Sequence, residues 1–235
     1  MNQQKLSIVM PAYNEGGGIE STINKTISAL RSGNFPFEVI VVNNGSTDNS
    51  KEVLENLQKK YNELKVVNVM PNRNYGGGIK AGLEKADGNI IGWTDADGQV
   101  HPQGIVDLYN LIDSGQFDVA KAYRHPRMES KYRKFQSGVF NAIFKMFFGN
   151  IADDVNAKPK LMKREIYNKY PLESNDIFID AELIIRLAKA KIPIGNAPVP
   201  FLKREFGKSK MRFWTSLEFL KRMVYYFFRV HKEKI

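Results

Sequence analysis

Residues 91–102 read IGWTDADGQVHP, an apolar run that ends abruptly in two carboxylates two positions apart. The run Asn89-Ile90-Ile91-Gly92-Trp93-Thr94 has the length and apolar content of a buried strand, and Gly98 and Pro102 mark a loop after it. Asp95 and Asp97 therefore fall at the C-terminal edge of a sheet, where open α/β folds hold their ligands. Residues i and i+2 of an extended segment project to one side, so the two carboxylates can converge on one cation. A lone D-x-D is also an ordinary acidic loop, and its surroundings must decide.

Outward from this stretch, short apolar runs alternate with helical patterns. Leu6–Met10, Glu38–Val42, Lys65–Val69, Ile90–Thr94 and Asp118–Ala122 read as strands. Between them, Ile19–Leu30, Ser50–Tyr61, Gly78–Ala86 and Pro102–Asp113 read as helices, the second N-capped from Ser46-Thr47-Asp48. Strands and helices alternating at these spacings predict an α/β fold, a mostly parallel sheet with helices on both faces. The second half is less regular. Lys131–Phe148, Ile179–Lys191 and Phe213–Val230 read as helices, and Ile192–Phe201 as a strand interrupted by proline.

A chain of 235 residues, 43% apolar and 26% charged, is sized for one sizeable core. It has no apolar run long enough to span a bilayer. The start, MNQQKLSIVMPAYNE, lacks the basic and long apolar regions of a signal peptide. The absence of cysteine excludes disulfides and thiolate chemistry, and fits a cytoplasmic protein. The net charge of +10 is uneven, with 10 Lys/Arg against 13 Asp/Glu in residues 1–115 and 25 against 12 in 116–235. The C-terminal half is thus expected to meet something anionic. No helix-turn-helix, zinc-finger or RNP pattern occurs, so nucleic acid is not the expected partner.

The glycine-rich stretch Asn74-Tyr75-Gly76-Gly77-Gly78-Ile79-Lys80-Ala81-Gly82 matches neither the dinucleotide fingerprint nor the P-loop. Two readings stay open. Backbone N–H groups at a helix start beside Arg73 can cradle a diphosphate, or the glycines serve a tight turn and close helix packing.

Several stretches, in order, resemble glycosyltransferase family 2: Ser7–Glu15 (SIVMPAYNE), Val41–Asp48 (VVNNGSTD), Asn72–Gly82, and Asp95-Ala96-Asp97-Gly98-Gln99 with His101-Pro102. D-A-D-x-Q-x-x-P and Pro198-Val199-Pro200-Phe201 with Arg204-Glu205-Phe206-Gly207-Lys208-Ser209-Lys210 bring it nearest to the polyprenyl- and dolichol-phosphate glycosyltransferases. The resemblance implies a GT-A (Rossmann-like) domain over residues 1–210, an amphipathic helix over 211–235, a UDP- or GDP-sugar donor, and Mg²⁺ or Mn²⁺. Pro11, Tyr13, Glu15, Asn44, Arg73 and Ala96 would line the nucleotide-sugar pocket. Asp95, Asp97 and Gln99 would hold the cation, all of them hard oxygen donors. Arg204 and Lys210 would close over the phosphates. One departure is Asn43-Asn44, where the family usually has two Asp. Asn44 both donates and accepts, which fits either an altered base preference or a tolerated substitution.

Family 2 enzymes invert configuration, so the resemblance implies one in-line displacement, with the cation held by Asp97, together with Arg73 and the lid residue Arg204, countering charge on the leaving diphosphate. For a polyprenyl-phosphate acceptor, Arg124, Arg133 and Ser137 lie where such enzymes hold the acceptor phosphate, and no general base is needed. A hydroxyl acceptor would need one. Asp180 is the candidate, unless it is a helix N-cap or first-turn acid. A further alternative is a non-catalytic anion or nucleic-acid binder on a degenerate transferase fold. Trp214, Leu217, Leu220, Val224 and Phe227 share one helical face, and Met146-Phe147-Phe148 adds to them. With Lys221, Arg222 and Arg229 near headgroups, they predict peripheral contact with the inner face of a membrane.

Overall fold

The structure is a computed structural model that describes residues 4–128, 131–204, 206 and 213–232. Its first half runs β1 (Leu6–Ala12), α1 (Ile19–Ser32), β2 (Phe37–Asn44), α2 (Ser50–Lys60), β3 (Leu64–Val69), α3 (Asn74–Leu83), β4 (Ile90–Trp93) and α4 (Gln103–Asp113). The second half runs β5 (Val119–Arg127), α5 (Lys131–Phe148), β6 (Lys160–Lys163), α6 (Arg164–Lys169), α7 (Ile179–Lys189), β7 (Ile194–Phe201) and α8 (Phe213–Lys232). The strands form one sheet in the order β3-β2-β1-β4-β6-β5-β7, in which only β6 runs against the rest.

The period-two alternation of the strands assigns each residue to a face. Leu6, Ile8, Met10, Val39 and Val41 point to one side, where they pack with Ile19, Ile23 and Ile27 of α1, Leu54 of α2 and Leu108 of α4. Val9, Ile40, Val42, Ile91 and Trp93 point to the other side, against Ile79 and Leu83 of α3 and Ile179, Leu183 and Leu187 of α7. This is the α/β, GT-A-type arrangement expected, with helices on both faces.

Helix α3 begins at Asn74, four residues before the sequence reading placed it, so the glycines lie inside the helix. Close packing explains them. A Cβ on Gly76 would stand 2.5 Å from the Ser174 carbonyl oxygen, and one on Gly82 would stand 2.4 Å from Cγ1 of Val9. Tertiary contact overrides the poor helix propensity of glycine here. β6 and α6 went unread because four and six residues are too short to show a period.

Helix α8 packs on α5 and α7. Met223 and Tyr226 are 1% and 4% exposed, in a third core with Phe144 of α5 and Phe178, Ala181 and Ile184. Of the face expected to meet a membrane, Val224 is exposed, while Leu220 lies at the core margin. The side chains of Trp214 and Leu217 lie outside the described residues. The pattern FLKRMVYYFFRV is apolar on several sides, so packing chooses the face. Arg222 and Arg229, expected at headgroups, pair with Asp176 (3.0 Å) and Glu173 (2.5 Å). Among the described residues, no helix is long and apolar enough to cross a membrane.

Glu182 of α7 ties this region together. Its carboxylate accepts from the backbone N–H of Glu173 (2.9 Å) and Ser174 (2.8 Å) and from Arg186 Nε (2.9 Å). Burial pushes its pKa up, but bonds from Ser174, Tyr226 and the two amides outweigh this and hold it below the ordinary range of a glutamate. A carboxylate lowered on folding adds stability above its unfolded pKa, and that stability is lost as pH falls through the folded value. Melting temperature should therefore fall from pH 5 downward, and Glu182→Gln should flatten that fall. An unchanged pH profile in the variant would exclude Glu182 as a source of acid sensitivity.

Candidate active site

β1 is flanked by β2 on one side and β4 on the other, so the strand order reverses between them and opens a crevice at their C-terminal ends. Pro11 to Glu15 leave β1 there, and Asp95 to Gln99 leave β4. The loop after β1 is fixed to the loop after β2. Asn14 N–H donates to Ser46 Oγ (3.0 Å), Glu15 N–H to Ser50 Oγ (3.0 Å) and Gly16 N–H to Asp48 Oδ2 (3.1 Å). Pro11 is half-buried and Tyr13 exposed on the rim, while Ala96 is buried.

The crevice brings Glu15, Asp97 and Arg204 together across a long stretch of chain. Arg204 Nη2 donates to both Glu15 oxygens (2.6 and 2.5 Å), and its Nη1 lies 3.6 Å from Asp97 Oδ2. Asp97 Oδ1 accepts from Gln99 N–H at 3.1 Å. Burial, then the neighbouring Asp95, pushes the Asp97 carboxyl up to about 6, against the opposing pull of the Gln99 N–H and Arg204. Asp95 Oδ1 accepts from the Tyr75 hydroxyl at 2.8 Å and lies 3.8 Å from Lys158 Nζ.

Two neighbouring carboxylates at the mouth of the crevice suit a divalent cation. No cluster of three His, Cys, Asp or Glu side chains occurs among the described residues. Such a sparse donor set fits Mg²⁺ or Mn²⁺, which keep waters and share substrate phosphates. Gln99, expected as a cation ligand, also serves as a tether. Its Nε2 donates to the Leu202 carbonyl (3.0 Å), and its own carbonyl accepts from Leu202 N–H (2.7 Å), which tethers the segment that carries Arg204. Lys210 lies outside the described residues.

Asn44 is turned inward. Its Oδ1 accepts from Arg73 N–H (2.9 Å) and its Nδ2 donates to the Asn74 carbonyl (2.7 Å). Both ends of the amide thus join β2 to the start of α3, a structural use that the base-reading expectation did not include. The Arg73 side chain is exposed, and Gly77 N–H donates to Asn175 O (3.0 Å), so the chain itself engages this part of the helix start. A cleft of about 410 Å³ beside it is lined by Arg73, Asn74, Gly77, Lys80, Ala81, Glu84 and Asn175, and includes neither Asp95 nor Asp97.

Arg124 Nη2 donates to Ser137 Oγ at 3.0 Å, with the Arg124 guanidinium over the Phe201 ring at 5.2 Å. Arg124 is also clamped by Asp154, which the sequence reading did not pick out (Nε to Oδ2 2.8 Å, backbone N–H to Oδ2 2.9 Å). The side chain of Arg133 lies outside the described residues.

Asp180 sits in the floor of the site, not at its mouth. It is 1% exposed and accepts from Lys160 Nζ (2.8 Å) and Trp93 Nε1 (3.0 Å), with Lys158 Nζ at 3.0 Å. Burial pushes its pKa up, but Lys158 and Lys160 more than offset this and hold it low. A sugar-facing base needs a reachable lone pair and a raised proton affinity, and this carboxylate has neither. It makes no N-cap bond, but it does lie in the first turn of α7, as the alternative reading had it. Tyr75, Lys158 and Lys160 are further site residues that sequence reasoning missed. Their signal was faint: the Lys-Pro-Lys spacing is informative only once β6 is known to lie beside β4.

A family model described as "Glycosyl transferase family 2" matches residues 7–171. The undecaprenyl-phosphate 4-deoxy-4-formamido-L-arabinose transferases of Salmonella choleraesuis and Salmonella paratyphi B are each 31% identical over 215 residues, 89% of this chain. The chain spans 63% of the length of these relatives. Among solved structures, glucosyl-3-phosphoglycerate synthase from Mycobacterium tuberculosis with Mn²⁺, UDP-glucose and phosphoglyceric acid superposes with a TM-score of 0.75 at 18% identity, covering 95% of this chain and 80% of that one. A mannosyltransferase from Pyrobaculum calidifontis with GDP-mannose and Mn²⁺ superposes at 0.70 and 17% identity, covering 97% and 65%. These two likenesses are in the fold.

Proposed function

Because this chain belongs to glycosyl transferase family 2, we propose that it moves a sugar, with inversion, from a nucleotide-sugar donor to a polyprenyl-phosphate acceptor. The observation that carries the reading is the meeting of Asp95, Asp97, Glu15 and Arg204 at the switch point between β1 and β4. The names of the two Salmonella relatives support the lipid-phosphate acceptor, and those of the fold neighbours support a UDP- or GDP-linked donor.

Asp97, with Asp95 beside it, would hold Mg²⁺ or Mn²⁺, which when bound supplies positive charge to the departing diphosphate. Arg204 exchanges its Glu15 partner for the donor phosphates and adds charge where it develops in the transition state. Ser137 and Arg124 present the acceptor phosphate, which is already ionised and needs no base. The buried ion pairs of Asp180 favour this acceptor over a hydroxyl. The intact Asp95-Ala96-Asp97 and its Arg204 neighbour weigh against a degenerate binder.

The test is transfer of labelled sugar from a panel of UDP- and GDP-sugars to undecaprenyl phosphate in detergent. Product should form with Mn²⁺ or Mg²⁺ and vanish in excess chelator. Full turnover in chelator, or transfer only to hydroxyl acceptors, would overturn the assignment.

Peripheral contact with the inner face of a membrane belongs to the same proposal. Phe135 and Met146 on α5, and Tyr225 and Phe228 on α8, are exposed, and the two helices pack through Phe147 and Phe227. Deleting α8 would uncover Met223 and Tyr226, so substitution is the cleaner test. The protein should co-sediment with anionic liposomes, less so in high salt, and Phe135→Ser with Phe228→Ser should weaken this. Equal sedimentation of the variant would leave these residues without a membrane role.

A further inference from the structure

The geometry points to Lys158 as a positioning residue that weakens the cation affinity of the Asp95–Asp97 pair until a donor diphosphate is present. This rests on the donor and metal reading above. The register of β4 and β6 pairs Trp93 with Lys160. Continued two residues past the end of β4, the antiparallel pairing brings Asp95 opposite Lys158. Lys158 Nζ indeed stands 3.8 Å from Asp95 Oδ1.

Lys158 is not a loose surface lysine. Its side chain is 14% exposed, its ammonium lies over the Tyr75 ring at 5.0 Å, and Asp180 Oδ2 holds it from behind at 3.0 Å. Asp180 does not rely on it alone. Lys160 at 2.8 Å and the Trp93 N–H at 3.0 Å already engage the other oxygen of that buried carboxylate. Lys158 is thus a second cation in a pair that Lys160 has neutralised, and its surplus charge faces Asp95.

A fixed positive charge beside one ligand carboxylate lowers the pull of that site on a divalent cation. The two negative charges of a donor diphosphate restore the balance. Cation and nucleotide then bind as a coupled pair, each raising the affinity of the other by the same factor. Arg204 Nη1 also lies 3.6 Å from Asp97 Oδ2, but its charge is shared with Glu15, both of whose oxygens accept from its Nη2.

The experiment is Mn²⁺ titration, followed by the spin resonance of the free ion, with Mn²⁺ alone and with Mn²⁺ plus UDP or GDP. Lys158→Met should bind Mn²⁺ alone about tenfold more tightly than wild type, the order of effect of one nearby charge under partial screening, and its coupling to the nucleotide should shrink. Lys158→Arg should keep the wild-type pattern. A purely structural role predicts weaker binding in every variant, never tighter. Should Lys158→Met not fold by circular dichroism, Lys158→Gln, which retains a donor to Asp180, carries the test. Mn²⁺ affinity in the folded neutral variant equal to or below wild type would overturn this inference alone. A wild type that binds no Mn²⁺, with or without nucleotide, would overturn the metal reading with it.

Discussion

Replacing Asp97 by alanine should lower sugar transfer by about a thousandfold, the loss expected when several kcal/mol of charge stabilisation leave the transition state. The fold should survive. Asp97 is the carboxylate whose pKa stands at about 6, raised by burial and by Asp95. A carboxyl raised on folding costs stability while ionised, so at neutral pH its removal relieves strain, as at many functional sites. The melting temperature of Asp97→Ala should therefore equal or exceed that of wild type while turnover collapses. Steady-state transfer with Mn²⁺ and a thermal melt on the same preparation decide it. Turnover within tenfold of wild type would remove Asp97 from the cation site. A large fall in melting temperature would show that its role is structural.

Asp180→Ala should behave in the opposite way, as a failure of stability. It leaves Lys160, which is 0% exposed, without its carboxylate. Removing one partner of a buried ion pair costs about 3–5 kcal/mol. For a chain of this size that lowers the melting temperature by on the order of 10 °C. Asp180→Asn should lose less, because the amide can still accept from Trp93 Nε1. The double change Asp180→Leu with Lys160→Met removes both charges and should recover much of the loss. Calorimetry on the three variants measures this. A melting temperature unchanged in Asp180→Ala, together with loss of transfer to a hydroxyl acceptor, would instead restore Asp180 as a base.

The two carboxylates show where local pattern suffices and where it does not. Asp95 and Asp97 were legible because the signal is contiguous: an apolar strand, a D-x-D and a turn, all within 91–102. The alternating faces of β1 and β2, and helices α1, α2 and α4, were legible for the same reason, since a period of two or of 3.6 is written along a single element. Asp180 was not. Its placement depends on Lys160 reaching it from β6, twenty residues away, and on Trp93 reaching it from β4, eighty-seven residues away. The clamp of Asp154 on Arg124, the tether of Gln99 to Leu202 and the inward turn of Asn44 are of the same kind. So is α8, whose sequence is apolar on several sides and whose buried face is set by α5 and α7. Sequence alone determined the longer elements, which side of β1 and β2 is apolar, and that acidic ligands gather at one sheet edge. Tertiary structure alone decided which charge neutralises which, because ion pairing falls off over a few ångströms, and no periodicity along the chain encodes the distances between elements that pair far apart in sequence.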